Sequence, residues 1–289
     1  MQDILFGTSG HRGIIGESFT KYHVMAISLA IADYLKTTYP NTTPSVLLGY
    51  DTRTGNDPQL HDTSYTYTIL ATLQHAGIKV ALCDTYTPTP IISWAVRNNP
   101  YQLGIILTAS HNPPNYNGIK INDAQGAPAS VTITQPIQDA ANALLKTITD
   151  PPPLDTTTIS RVNYTDTFIT HLNTLLTDTF NLDIIPWQIP YIIDCKCGSA
   201  IDVWQAITAN ASAPMHWLND NHSPDFNFEQ PNPTSPETIA QLSKLATEHN
   251  TIAFSNDPDA DRHLVIDEQG DHISPEKLTA IIIHYCVTH

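Results

Sequence analysis

The chain has 289 residues, with 13 Lys and Arg against 28 Asp and Glu for a formal net charge of −15. So acidic a balance excludes a nucleic-acid partner, which needs a basic face against its phosphates, while the length suits two α/β domains. Charged residues make up only 14% of the chain, against roughly 25% in ordinary soluble domains, so each of the few cations merits separate reading.

Tyr22, Met25, Leu29, Ile31 and Leu35 form a helical stripe after Thr20, a candidate N-cap, and residues 45–49 read as a short buried strand. Further strands are expected at 78–82, 103–107, 191–193 and 251–254. Helices are expected between them at 58–75, 90–97, 135–146, 167–179, 200–208 and 236–249. Such alternation predicts α/β layers with mainly buried strands. The stretch DPPPLDTTTIS at 150–160 breaks the rhythm, because three prolines can neither continue a helix nor join a central strand. A boundary is placed there. The expected architecture is two successive three-layer α/β domains with mixed sheets, at 1–150 and 151–270, and the start of a third at 271–289, where Ser274 caps a helix begun by Pro275.

The most apolar runs, 104–107 and 280–283, are far short of the roughly 18 to 20 residues of a membrane-spanning helix, so no membrane partner is expected. No signal peptide is read at the N-terminus. Cys83, Cys195, Cys197 and Cys286 are too few for a disulfide framework, and the Cys195-x-Cys197 pair lacks a second pair for zinc. Structural thiols in a reducing cytoplasm are the expectation.

Four segments carry chemistry. LTASHNPP at 107–114 follows a strand and puts the Ser110 hydroxyl beside His111, with Lys120 downstream in NGIK. It is not a Gly-x-Ser-x-Gly elbow, and a Ser there is a weak nucleophile unless deprotonated or already modified. In SNDPDADRH at 255–263, Asp257, Asp259 and Asp261 recur at i, i+2 and i+4, a spacing that can converge on one hard cation. An EF-hand loop would need Gly where Arg262 stands, and a solvated acidic turn is the plain alternative. FGTSGHRG at 6–13 offers Thr8, Ser9 and Arg12 among three glycines, which suits an anion but matches neither a Walker loop nor a dinucleotide loop. GYDTR at 49–53 supplies Arg53 beside an Asp. Arg12, Arg53, Lys120 and Arg262 are thus read as loop cations gathered at an anion site, although an Arg near an Asp can also simply pair with it.

FGTSGHRG, LTASHNPPNYNGIKI and NDPDADRH, in this order and spacing, closely resemble the α-D-phosphohexomutases. The TPTP at 87–90 and the DFNF at 225–228 look most like the bacterial glucose-specific phosphoglucomutase branch. The resemblance implies an isomerase working by phosphoryl transfer through a phosphoserine. Ser110 would carry the phosphoryl group, and Asp257, Asp259 and Asp261 would hold Mg²⁺ against one of its oxygens. Lys120 would be the candidate general base, Arg12 and His111 would steady the transferring group, and Thr8, Ser9, Arg53 and Arg262 would bind substrate or phosphate. It further implies a hexose phosphate substrate, glucose 1-phosphate and glucose 6-phosphate being interconverted through glucose 1,6-bisphosphate, and is compatible with a homodimer. The family's Glu-Ser-Gly and Arg-Ser-Gly-Thr loops, which grip the sugar and the distal phosphate, are missing from the 28 residues after Asp261, so the chain is expected to contain the N-terminal domains only. A catalytically incompetent protein that binds Mg²⁺ and phosphate, and a phosphomannomutase, are the rival readings.

Overall fold

The computed structural model describes residues 2–180 and 189–288 and divides into two compact units, Met1–Tyr164 and Thr165–His289. In the first, the elements run β1 (His11–Ile14), α1 (Lys21–Thr38), β2 (Ser45–Tyr50), α2 (Tyr65–His75), β3 (Lys79–Cys83), α3 (Thr89–Asn98), β4 (Leu103–Leu107), β5 (Tyr116–Asn122), α4 (Val131–Leu144) and β6 (Ser160–Val162). Their sheet has the order β1-β5-β4-β2-β3-β6. β4, β2, β3 and β6 are parallel, while β5 runs antiparallel to β4 and the edge strand β1 antiparallel to β5. Strands apolar on both sides must be covered on both sides. Val46 and Leu48 pack with Ile27, Ile31 and Leu73 on one face, whereas Leu47 and Ile106 meet Ile92, Ala95 and Val96 of α3 on the other.

The expected helix at 58–75 begins only at Tyr65, capped by Ser64, because Asp57 ties the amides of Gln59 and His61 into a turn. The proline run leads not into the second unit but into β6, which pairs with β3, so the first unit continues to Tyr164 rather than ending at 150.

The second unit holds α5 (Thr165–Phe180), β7 (Tyr191–Asp194), α6 (Ile201–Ile207), β8 (Met215–Leu218), α7 (Pro236–His249), β9 (Ile252–Asn256), β10 (His263–Ile266) and α8 (Pro275–Thr288). Its sheet order is β10-β9-β7-β8, with only β10 antiparallel. Alternate residues of β7 serve two cores: Ile192 joins Leu242 and Ala246 of α7, and Ile193 joins Ile201 of α6. Both units are therefore mixed α/β sandwiches. α8 buries none of its residues and leaves Ile281, Ile282, Ile283 and Val287 exposed. Among the described residues, no helix is long and apolar enough to cross a membrane.

Candidate active site

β4 leaves its sheet at Leu107, and the chain turns back into β5 through Ser110. Ser110 has φ 55°, in the left-handed region that a residue with a side chain occupies only when its surroundings hold it there. Its amide donates to Thr108 Oγ1 at 2.8 Å, and Thr108 Oγ1 donates to Asp51 Oδ2 at 2.6 Å. The Ser110 hydroxyl lies 3.3 Å from His111 Nδ1, in a residue with no exposed surface. Arg12 Nη1 donates to Asn112 Oδ1 at 2.6 Å, which ties β1 to the same turn.

Arg53 does something other than what its position in the sequence suggested. Its Nε donates to Asp51 Oδ2 at 3.1 Å, and Nη1 donates to the carbonyls of Pro113 and Tyr116 at 2.8 and 2.9 Å. Nη2 donates to the carbonyls of Ser110 and Asn112. A guanidinium has five N–H donors, and all five are used within the protein. Fully buried, Arg53 braces the Ser110 turn and has no donor left for a phosphate. The phosphate-binding assignment is corrected accordingly.

Arg12 and Lys120 lie not on loops but on the paired strands β1 and β5, where Arg12 faces Gly118 and Lys120 faces Ile106 of β4. Gly118, which read as a loop residue, serves close packing: a Cβ there would come within 2.5 Å of the carbonyl oxygens of both His11 and Thr108. Lys120 is 7% exposed. Gly7 and Gly10 exchange backbone hydrogen bonds of 3.0 and 3.3 Å, so Thr8 and Ser9 form the exposed tip of a tight turn just before β1.

Behind that turn lie two stacked histidines, His11 and His23, with ring centroids 6.3 Å apart. His11 Nδ1 approaches the carbonyl of Leu5 at 3.2 Å, and His23 Nε2 that of Gln2 at 3.0 Å. Burial lowers both from the ordinary value of 6.5, and for His11 the neighbouring His23 adds to the effect. Because the unfolded chain takes up protons more readily, stability is full above about pH 6.5 and is lost as pH falls toward the depressed folded values. The urea midpoint is expected to drop between about pH 7.5 and 5.5, and to drop less in His11→Asn; identical profiles would exclude the pair as the cause.

In the second unit, β9 and β10 form a hairpin whose connection carries Asp257, Asp259 and Asp261. One carboxylate oxygen from each lies within 4.8 Å of the others, and this is the one cluster of three or more metal-ligating side chains among the described residues. Asp257 and Asp259 have no exposed surface, whereas Asp261 is exposed. Flanking strands in place of helices exclude an EF-hand. Backbone contacts close the loop: the Arg262 amide donates to Asp257 Oδ1 at 3.0 Å, and the Asp257 amide donates to the Arg262 carbonyl at 3.3 Å. The Arg262 side chain is exposed. Three hard oxygen donors, two of them shielded from water, repel one another unless a cation sits among them, so the donor set fits a divalent ion such as Mg²⁺.

Cys195 and Cys197 are buried and free. Desolvation, then the nearby Asp194 charge, raises both thiols, Cys197 to about 12, so they stay protonated and act as packing groups.

Residues 3–147 match the family model described as phosphoglucomutase/phosphomannomutase, alpha/beta/alpha domain I, and residues 166–270 match that for domain II. The chain belongs to this family. A phosphoglucomutase from Komagataeibacter xylinus is 30% identical over 98% of this chain and 53% of its own length. A phosphoglucosamine mutase from Gloeothece citriformis is 28% identical over 92% of this chain and 52% of its own. The solved structure of a candidate phosphomannomutase from Thermus thermophilus superposes with a TM-score of 0.81 at 24% identity, covering all of this chain and 63% of that one. The chain thus spans about half the length of the curated relatives it matches.

In this phosphoglucomutase/phosphomannomutase family member, the first unit brings Arg12, Ser110, His111 and Arg53 into one hydrogen-bonded neighbourhood. The second unit gathers the three Asp residues. Asp51, Thr108 and Asn112 were not singled out from the sequence, although all three hold the Ser110 turn. The Asp51-x-Arg53 spacing was the available signal.

Proposed function

We propose that the chain is the phosphoryl-carrying half of a phosphoglucomutase, with Ser110 as the phosphoryl carrier and Asp257, Asp259 and Asp261 as the Mg²⁺ ligands. The reading is carried by Ser110, a hydroxyl held in a costly backbone conformation by a network that leaves little freedom to the turn. Phosphoryl transfer needs positioning and charge compensation more than covalent ingenuity, and a rigid turn supplies the positioning.

In the forward step, a sugar hydroxyl attacks the phosphorus of phosphorylated Ser110, the Oγ–P bond breaks, and a new sugar O–P bond forms. Lys120 is the candidate base for the hydroxyl proton, with Arg12 and His111 steadying the equatorial oxygens. Thr8, Ser9 and Arg262 are exposed donors for phosphate or sugar. The reverse transfer, from the other phosphate of glucose 1,6-bisphosphate, restores the phosphoserine. Asp257, Asp259 and Asp261 would hold Mg²⁺, which when bound would supply positive charge to phosphate oxygens.

Glucose preference rests on the resemblance to the phosphoglucomutase branch and on the phosphoglucomutase among the relatives. It is tested by supplying glucose 1-phosphate and mannose 1-phosphate together to a full-length protein containing this sequence, with glucose 1,6-bisphosphate and Mg²⁺. Faster conversion of mannose 1-phosphate would make the protein a phosphomannomutase, and no turnover of either would favour a binding protein. For the metal, Mn²⁺ is expected to bind the 289-residue chain, and Asp257→Asn or Asp259→Asn to weaken it by about 100-fold. Titration followed by the electron paramagnetic resonance of free Mn²⁺ measures this; unchanged binding in both variants removes the three carboxylates as the site.

A further inference from the structure

The metal loop is shaped by a neighbouring turn. β7 ends at Asp194, and residues 195–199 turn back against the loop at Pro258, the residue between the first two carboxylates. The Ser199 amide donates to the Pro258 carbonyl at 2.8 Å and the Ser199 hydroxyl donates to the same oxygen at 2.9 Å. Both lone pairs of that carbonyl are thereby engaged by one residue. Gly198 lies so close that a Cβ on it would fall 2.5 Å from Pro258 Cα. Ser199 has no exposed surface, so water cannot replace its hydroxyl.

Two consequences follow for the loop. The doubly held carbonyl is directed to Ser199, and with the proline ring restricting its own φ, the peptide plane joining Pro258 to Asp259 is fixed. Asp259 follows directly from that plane, so the backbone that carries its carboxylate starts from a peptide held by Ser199. A second tie acts just upstream: Ser255 Oγ donates to Asp194 Oδ2 at 2.9 Å, and Lys196 Nζ lies 3.0 Å from the same oxygen.

We propose that Ser199 is a positioning residue for the metal site, acting through the Pro258 carbonyl to hold Asp257 and Asp259 in their ligating arrangement. This rests on the metal reading above. Groups that orient ligands from behind commonly affect metal affinity by about 10- to 100-fold. Mn²⁺ alone is the probe, titrated by electron paramagnetic resonance into the 289-residue chain, its Ser199→Ala and Ser199→Thr variants, and Asp259→Asn. Expected are roughly tenfold weaker binding in Ser199→Ala and recovery toward wild type in Ser199→Thr, which keeps the hydroxyl. Wild-type affinity in Ser199→Ala, with Asp259→Asn impaired, overturns the role of Ser199 and leaves the carboxylate site standing; so do equal losses in the Ala and Thr variants, which mark a packing effect. Failure of the wild-type chain to bind Mn²⁺ overturns both. Should Ser199→Ala not fold, Ser199→Cys keeps the volume while weakening the donor, and wild-type affinity there is equally adverse.

Discussion

Ser110→Ala is expected to abolish phosphate uptake from glucose 1,6-bisphosphate, a loss on the order of 10⁴-fold or more, because no other group can accept the phosphoryl at that atom. Ser110→Gly should lose it equally while changing stability in the opposite sense to most substitutions. At φ 55° a side chain costs roughly 1–2 kcal/mol that glycine does not incur. The same substitution also opens more conformations to the unfolded chain, which offsets part of that gain. The variant is therefore expected to unfold at the same or higher urea concentration than the parent, with no phosphate attached. Intact mass after incubation with the bisphosphate and Mg²⁺ reads the first effect, and a urea titration reads the second. Labelling that persists in Ser110→Ala would move the carrier role to another residue. A marked loss of stability in Ser110→Gly would show that the hydroxyl, and not the backbone, is what the surrounding network secures.

The same turn shows where residue patterns were informative and where they were not. Strands β2, β3, β4, β7 and β9 were legible because they are apolar on both faces and bounded by turn residues, and α7 matched its expected limits because Ser235 and Pro236 start it in the usual way. β1 and β5 were read as loops because they contain glycine and polar residues, yet the pairing of Arg12 with Gly118 needs a residue without a side chain. β6 was hidden behind three prolines. The Asp triad was legible from spacing alone, since two-residue steps in a short connection can bring carboxylates together. The contribution of Ser199 was not, because it depends on contact between residues nearly sixty positions apart.

Arg53 is the sharpest divergence between position and role, and its removal is expected to have the largest effect on stability. A guanidinium in a strand-end loop suggests a ligand for phosphate, whereas this one is consumed by Asp51 and four main-chain carbonyls. Removing one member of a buried ion pair leaves the other charge uncompensated, at a cost of about 3–5 kcal/mol, and four carbonyls lose donors besides. Against the roughly 5–15 kcal/mol typical of whole domains, Arg53→Met should leave the first unit close to unfolding at room temperature. Arg53→Lys should restore little, since one ammonium cannot reproduce a planar fork that reaches five acceptors. If the buried charge is the dominant penalty, Asp51→Asn/Arg53→Met should be more stable than Arg53→Met alone, although Asp51 also accepts from Thr108 and Asn56. Urea midpoints of the three variants decide the matter. A wild-type midpoint in Arg53→Met, with activity lost, would return Arg53 to phosphate binding and make its five contacts incidental to the fold.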